Sequence, residues 1–126
     1  MTGKPLKIFL NNYEVDYNKM KLKIKPLSIN EAFKGRRFKT QDCKIYEKEI
    51  WYLLPKLKVP KGKLKLEITA GFSNKNADID NIAKIFIDCL QKKYSFNDKE
   101  IYELNLKKEI TKKGKEFIKF NFRKYK

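Results

Sequence analysis

The chain has 126 residues, with 31 Lys and Arg against 15 Asp and Glu, two Cys and no His. That length suits one domain, residues 1–126, with a real core, and 41% hydrophobic residues with 16 Phe and Tyr argue against disorder despite 37% charge. No apolar run approaches the ~20 residues of a membrane span, and a chain without His offers neither a Cys/His zinc site nor a histidine general base.

The formal net charge of +16 points to polyanionic partners. The excess is 28 Lys to three Arg, which suits neutralising a phosphate backbone better than bidentate reading of bases. Solvated Lys-rich surface is the plainer account, and charge alone says nothing about enzymatic activity. The N-terminal "MTGKPLKIFLNNYE" has one short apolar run followed by Asn and Glu, a poor signal peptide. Cys43 and Cys89 form no CxxC pair and fall at apolar helical positions, as reduced core thiols of a cytoplasmic protein would.

In chain order, "PLKIFL" (5 to 10) and "KMKLKIK" (19 to 25) read as strands; in the second, Met20, Leu22 and Ile24 alternate with Lys, the period of a sheet with one buried face. Residues 26 to 40, "PLSINEAFKGRRFKT", read as an irregular basic loop. Thr40 is placed to cap a helix whose stripe is Cys43, Tyr46, Ile50 and Leu53, with Trp51 also expected inside and Pro55 as the stop. "KVPKGKLKLEITAGF" supplies a turn and a strand with Leu64, Leu66 and Ile68 inward. A second helix spans about 79 to 93 on a stripe of Ile79, Ile82, Ala83, Phe86 and Leu90. Two strands, 101 to 110 and 116 to 123, close the chain, joined as a hairpin by "TKKGKE". The expected fold is α+β in two layers: a mixed, largely antiparallel sheet with two helices packed on it, in the order β-β-α-β-α-β-β.

The acids of "NADIDNIAKIFIDCL" (76 to 90) stand out in so basic a chain. One Asp at a helix start is commonly a cap. Asp78 and Asp80 together repel each other unless a cation or partner compensates, and clustered hard oxygens suit Mg²⁺, which takes one or two carboxylates and keeps several waters. Lys84 lies one helical turn after Asp80, and Asp88 one turn further. The three form either a surface salt-bridge ladder or, for Lys84, a cation placed to stabilise charge on a transferring phosphate. Phe33 and Phe38, flanked by basic residues, are candidate base contacts or else cover the edge of the core.

These residues carry a family resemblance. "ADIDNIAKIFIDCL" followed by "NDKEI" resembles the RusA family of Holliday-junction resolvases: an Asp-x-Asp-Asn motif (Asp78, Asp80, Asn81), a Lys four residues after the second Asp (Lys84), an Asp-Ala-Leu-like step (Asp88-Cys89-Leu90), then an acidic step opening the next strand (Asn97-Asp98-Lys99-Glu100-Ile101). "PLSINEAF" is similar to the family's Pro-Pro-Ser-x-Asn opening, and "LKKEITKKGKEFIKFNF" resembles its closing hairpin, so residues 20 to 122 follow the family's order. The resemblance implies a homodimeric, cytoplasmic endonuclease, bacterial or phage-encoded, that cuts branched DNA at four-way junctions. It implies Mg²⁺, with Mn²⁺ able to substitute, held by Asp78, Asp80 and Asp98. Lys84 would stabilise phosphate charge, with Asn81 and Asp88 in support.

Three departures are visible. Asn97 stands where the family has a second acid beside Asp98. The basic run before the Asp motif is reduced to Lys75, which shifts expected DNA contacts to Lys34, Arg36, Arg37 and Lys39 of the early loop and to Lys107 and Lys108 near the chain's end. Residues 1 to 18 match nothing in the pattern. The rival expectation is a non-catalytic basic nucleic-acid-binding protein that retains the nuclease fold, in which the acids merely cap and pair.

Overall fold

Strong period-2 alternation and two amphipathic stripes dictate a sheet covered by helices on one face. The computed structural model describes residues 21–28, 32–34 and 38–126. Its elements are β1 (Lys21–Leu22), β2 (Phe33–Lys34), β3 (Phe38–Lys39), α1 (Gln41–Leu53), β4 (Leu64–Phe72), α2 (Asp80–Tyr94), a 3-10 turn (Asp98–Glu100), β5 (Ile101–Ile110) and β6 (Phe117–Lys124). The strand expected at 5 to 10 lies outside the described residues. The main sheet has the order β1-β6-β4-β5, and β2 pairs with β3 in a small ribbon within the segment expected to be irregular. Strand β4 pairs antiparallel with β6 and parallel with β5, while β1 pairs antiparallel with β6. The α+β architecture and the mixed, mostly antiparallel sheet are as expected.

The core lies between the helices and one face of this sheet. Leu64, Leu66, Ile68, Ala70 and Phe72 of β4 and Ile118, Phe120 and Phe122 of β6 point into it. Phe86 of α2 meets Phe120 edge-on with ring centroids 5.6 Å apart, and Tyr94 meets Phe122 at 6.2 Å. Thr40 caps α1 as its position suggests, its hydroxyl accepting the Cys43 N–H at 3.1 Å. Gly71 lies flat beneath the Phe117 ring, so that a Cβ there would stand 2.2 Å from a ring carbon.

Three expectations need correction. The last two strands are not a hairpin: β4 lies between β5 and β6, and residues 111 to 116 arch over its end, anchored by the Thr111 N–H on the Phe72 carbonyl at 2.7 Å. Leu53 is 42% exposed. The helix ends there, and the extended backbone of Leu54 turns the Leu54 side chain inward instead. Trp51 is also outside, one position past buried Ile50 on the helix, with the Lys93 ammonium 4.5 Å from its ring centroid.

Candidate active site

The apolar stripe of α2 (Ile82, Ala83, Phe86, Cys89 and Leu90, all buried) fixes the helix on the sheet and leaves its first turn at the surface. Asp80 is the first helical residue and Asp78 stands two residues before it; both are exposed. Neither is used as a cap. Ile79 occupies the N-cap position with helical backbone angles and no side-chain bond to the helix start. The Asp78 carboxylate instead accepts a long bond, 3.5 Å, from the side-chain amide of Asn81. Two carboxylates therefore stand at the positive end of a helix dipole, where anionic charge is favoured, without satisfying its backbone donors.

Lys84 is exposed one turn along. Among the described residues no ion pair joins it to Asp80 or Asp88, so the alternative of a surface salt-bridge ladder does not form. Asp88 has a different role: its carboxylate accepts from Gln91 Nε2 at 3.4 Å, and Gln91 Oε1 accepts the backbone N–H of Asp98 at 2.9 Å. Asp98 opens the 3-10 turn before β5, and Asn97 caps that turn by accepting the Lys99 N–H at 2.9 Å.

Topology separates the acids. Strand β5 runs parallel to β4 and begins beside its start, Ile101 opposite Leu64. Asp78 and Asp80 follow the far end of β4, and α2 carries the chain back between them and Asp98. With 15 residues, α2 is about 22 Å long. Asp98 thus lies at the opposite end of the sheet from Asp78 and Asp80. Among the described residues no group of three such side chains converges to hold a metal. The Asp78–Asp80 pair alone offers the hard oxygens that suit a largely hydrated divalent ion.

The loop presenting that pair is held from three sides. Lys108 of β5 donates its ammonium to the carbonyls of Lys75 at 2.6 Å and Ala77 at 2.5 Å. Ser73 donates to the Glu116 carboxylate at 2.7 Å, which also receives the Gly114 N–H, and the Ser73 bond heads the causes that hold the Glu116 carboxyl below its ordinary value. Asn74 closes an Asx turn onto the Asn76 N–H at 2.9 Å. Lys108, expected against DNA, is in this structure a clamp on the loop. Neither it nor Gln91 was identifiable as a positioning group from sequence, because both act through contacts made across the fold.

The other candidates are scattered. Lys39 is paired with Glu47 at 2.7 Å on α1, a contact that raises its pKa. Lys75 and Lys107 are exposed. Lys34 lies on β2, while Arg36 and Arg37 fall outside the described residues. Phe38 is 75% exposed, whereas Phe33 is partly buried against the core. Both cysteines are buried free thiols, and burial pushes Cys89 up to about 12.

Comparison with known proteins places these residues in context. The family model described as endodeoxyribonuclease RusA matches residues 16–120, nearly the span over which the motifs follow in order. No curated protein matches the chain.

Proposed function

Since the chain belongs to the RusA endodeoxyribonuclease family, whose members are Holliday-junction endonucleases, we propose that it resolves four-way DNA junctions as a homodimer, by Mg²⁺-dependent and symmetric phosphodiester hydrolysis. Asp78 and Asp80 would hold the ion, with Asp98 of the partner subunit completing the set. When bound, such an ion lowers the pKa of a water and polarises a phosphate. Lys84, one turn from Asp80, supplies positive charge for the developing phosphate oxygens. Asn81 orients the Asp78 carboxylate, and Lys108 keeps the loop in place.

The observation that carries this reading is the state of the Asp78 carboxylate. In a protein that used these acids only structurally, Asp78 would cap the helix and Lys84 would pair with Asp80 or Asp88. The Asp78 carboxylate caps no backbone donor, and no such pair forms among the described residues.

The separation of Asp98 from the pair argues for two copies. Among the described residues strand β5 is an edge of the sheet, ten residues long, with Tyr102, Leu104 and Ile110 exposed. Unpaired edges of this length invite strand addition. Two β5 strands paired antiparallel about a two-fold axis would lay the start of one against the end of the other. Asp98 precedes that start, and Lys108, bonded to the loop of Asp78, lies near that end. Each carboxylate pair would then gain the Asp98 of the partner subunit, and two sites would face a substrate of near two-fold symmetry.

The test is incubation of a labelled four-way junction with the protein, with and without Mg²⁺, beside an Asp80→Asn variant. Cleavage only with the ion, and only by the parent, supports the proposal. Unchanged junctions at every metal concentration, or normal cutting by the variant, would refute it.

A further inference from the structure

On the face of the sheet turned away from the helices Lys21 and Lys107 are exposed, Lys119 is half-buried and Asn121 is buried, and the rows can be read from the register. One row across the four strands runs Lys107 on β5, Thr69 on β4, Lys119 on β6 and Lys21 on β1. The next is Asn105, Glu67 and Asn121. All of these except Lys21 line a groove of about 480 Å³.

Its charge is uneven. Glu67 is already answered by Arg123 at 3.2 Å and by Lys65 at 3.9 Å. Lys21, Lys107 and Lys119 make no ion pair with a described residue. Lys21 and Lys119 lie over the Phe117 ring, 4.4 and 5.6 Å from its centroid, which orients their ammonium groups without neutralising them. The three lysines span three strand spacings, about 14 Å. That is room for several successive phosphates of one strand at roughly 3.4 Å of axis each.

We infer that this face is a second DNA-binding surface, on which the Lys107–Lys119–Lys21 row takes the phosphate backbone of a junction arm leaving the Asp78–Asp80 end. The inference rests on the junction-endonuclease reading for the identity of the polyanion. Position supports it: Thr69 lies three residues, about 10 Å, before the end of β4 from which the acidic loop departs. Chemistry supports it as well, because lysines flanked by Thr and Asn read backbone, not bases. A second copy of the chain is the poorer occupant, since an isologous contact would bring the lysine row against itself.

The experiment measures junction binding against KCl concentration in an Asp80→Asn background that does not cut. Lys107→Ala/Lys119→Ala is compared with Lys48→Ala/Lys56→Ala, which removes the same charge from exposed positions elsewhere. The face variant should bind about tenfold more weakly and lose about two from the slope of log K against log salt, near 0.9 per phosphate contact. In the wild type, amine acetylation of Lys21, Lys107 and Lys119 should fall when junction DNA is present, a readout that needs no variant to fold. Equal slopes for the two variants with no protection of these lysines would overturn the inference. So would loss of the protein's own dimer in the face variant, which would make the surface an interface between copies. Wild-type cleavage is scored separately. Cutting with equal slopes refutes this surface alone, whereas a slope difference without cutting refutes the nuclease reading alone.

Discussion

The ammonium of Lys108, on strand β5, donates to the carbonyl oxygen of Ala77 at 2.5 Å, and Ala77 is the residue immediately before Asp78. With a second bond to the Lys75 carbonyl, one side chain ties the edge strand to the loop that presents the acidic pair. Lys108→Met should lower the cleavage rate about tenfold, the equivalent of ~1.4 kcal/mol and just below the ~1.5–3 kcal/mol of hydrogen bonds to charged groups. The salt slope of junction binding distinguishes this from a phosphate contact. A clamp leaves the slope unchanged, whereas a lost phosphate contact would reduce it by about one.

Gln91 links the two ends of a different connection, from the Asp88 carboxylate to the backbone of Asp98. Gln91→Leu should free the 3-10 turn and lower the cleavage rate while leaving junction binding within about twofold, since no charge is removed. Asp88→Asn keeps an acceptor for Gln91 and should have a smaller effect. Single-turnover cleavage alongside anisotropy binding separates the two quantities.

Gly71 is required by packing. Because its added Cβ would meet the Phe117 ring at 2.2 Å, Gly71→Ala should destabilise the fold by about 1–3 kcal/mol, the usual cost of overpacking. Phe117→Leu in the same chain should return part of that loss, as coupled neighbours do. Chemical denaturation of the single and double variants checks both statements.

The cysteine thiols give a pH dependence with a definite sign. Burial raises Cys89 from an ordinary 9.0 to about 12 and raises Cys43 as well. The folded protein then holds protons that the unfolded chain releases, so this contribution is complete below pH 9 and is lost as pH rises from 9 toward 12. Both thiols should be silent to a thiol reagent at pH 8 until the protein unfolds. Cys89→Ala should shrink the alkaline loss of stability.

Much of this was legible locally. The Thr40 cap, the stop before Pro55 and the buried stripe of α2 follow from short-range rules of capping, ring geometry and periodicity, and the structure agrees with each. What local pattern does not encode is which strands are neighbours. β5 and β6 carry a good turn between them, Gly114 at φ +89° included, yet β4, whose Leu64, Leu66, Ile68 and Ala70 are buried, takes the place between them. The same non-local fact moves Asp98 to the far end of α2. Order along the chain suggested one cluster of acids, whereas topology provides a pair and a distant third. Trp51 failed for a smaller reason: one residue past Ile50 is 100° of helix rotation, enough to face solvent.

The proposed sharing of each site between two subunits is tested most directly by mixing defects. Asp80→Asn and Asp98→Asn chains, each inactive as a homodimer, are co-expressed with different tags, and the mixed dimer is isolated and given a four-way junction with Mg²⁺. If each site draws Asp98 from the partner subunit, the mixed dimer keeps one intact site and nicks one strand of the junction, with the other site carrying both defects. A mixed dimer as inactive as its parents would contradict the account.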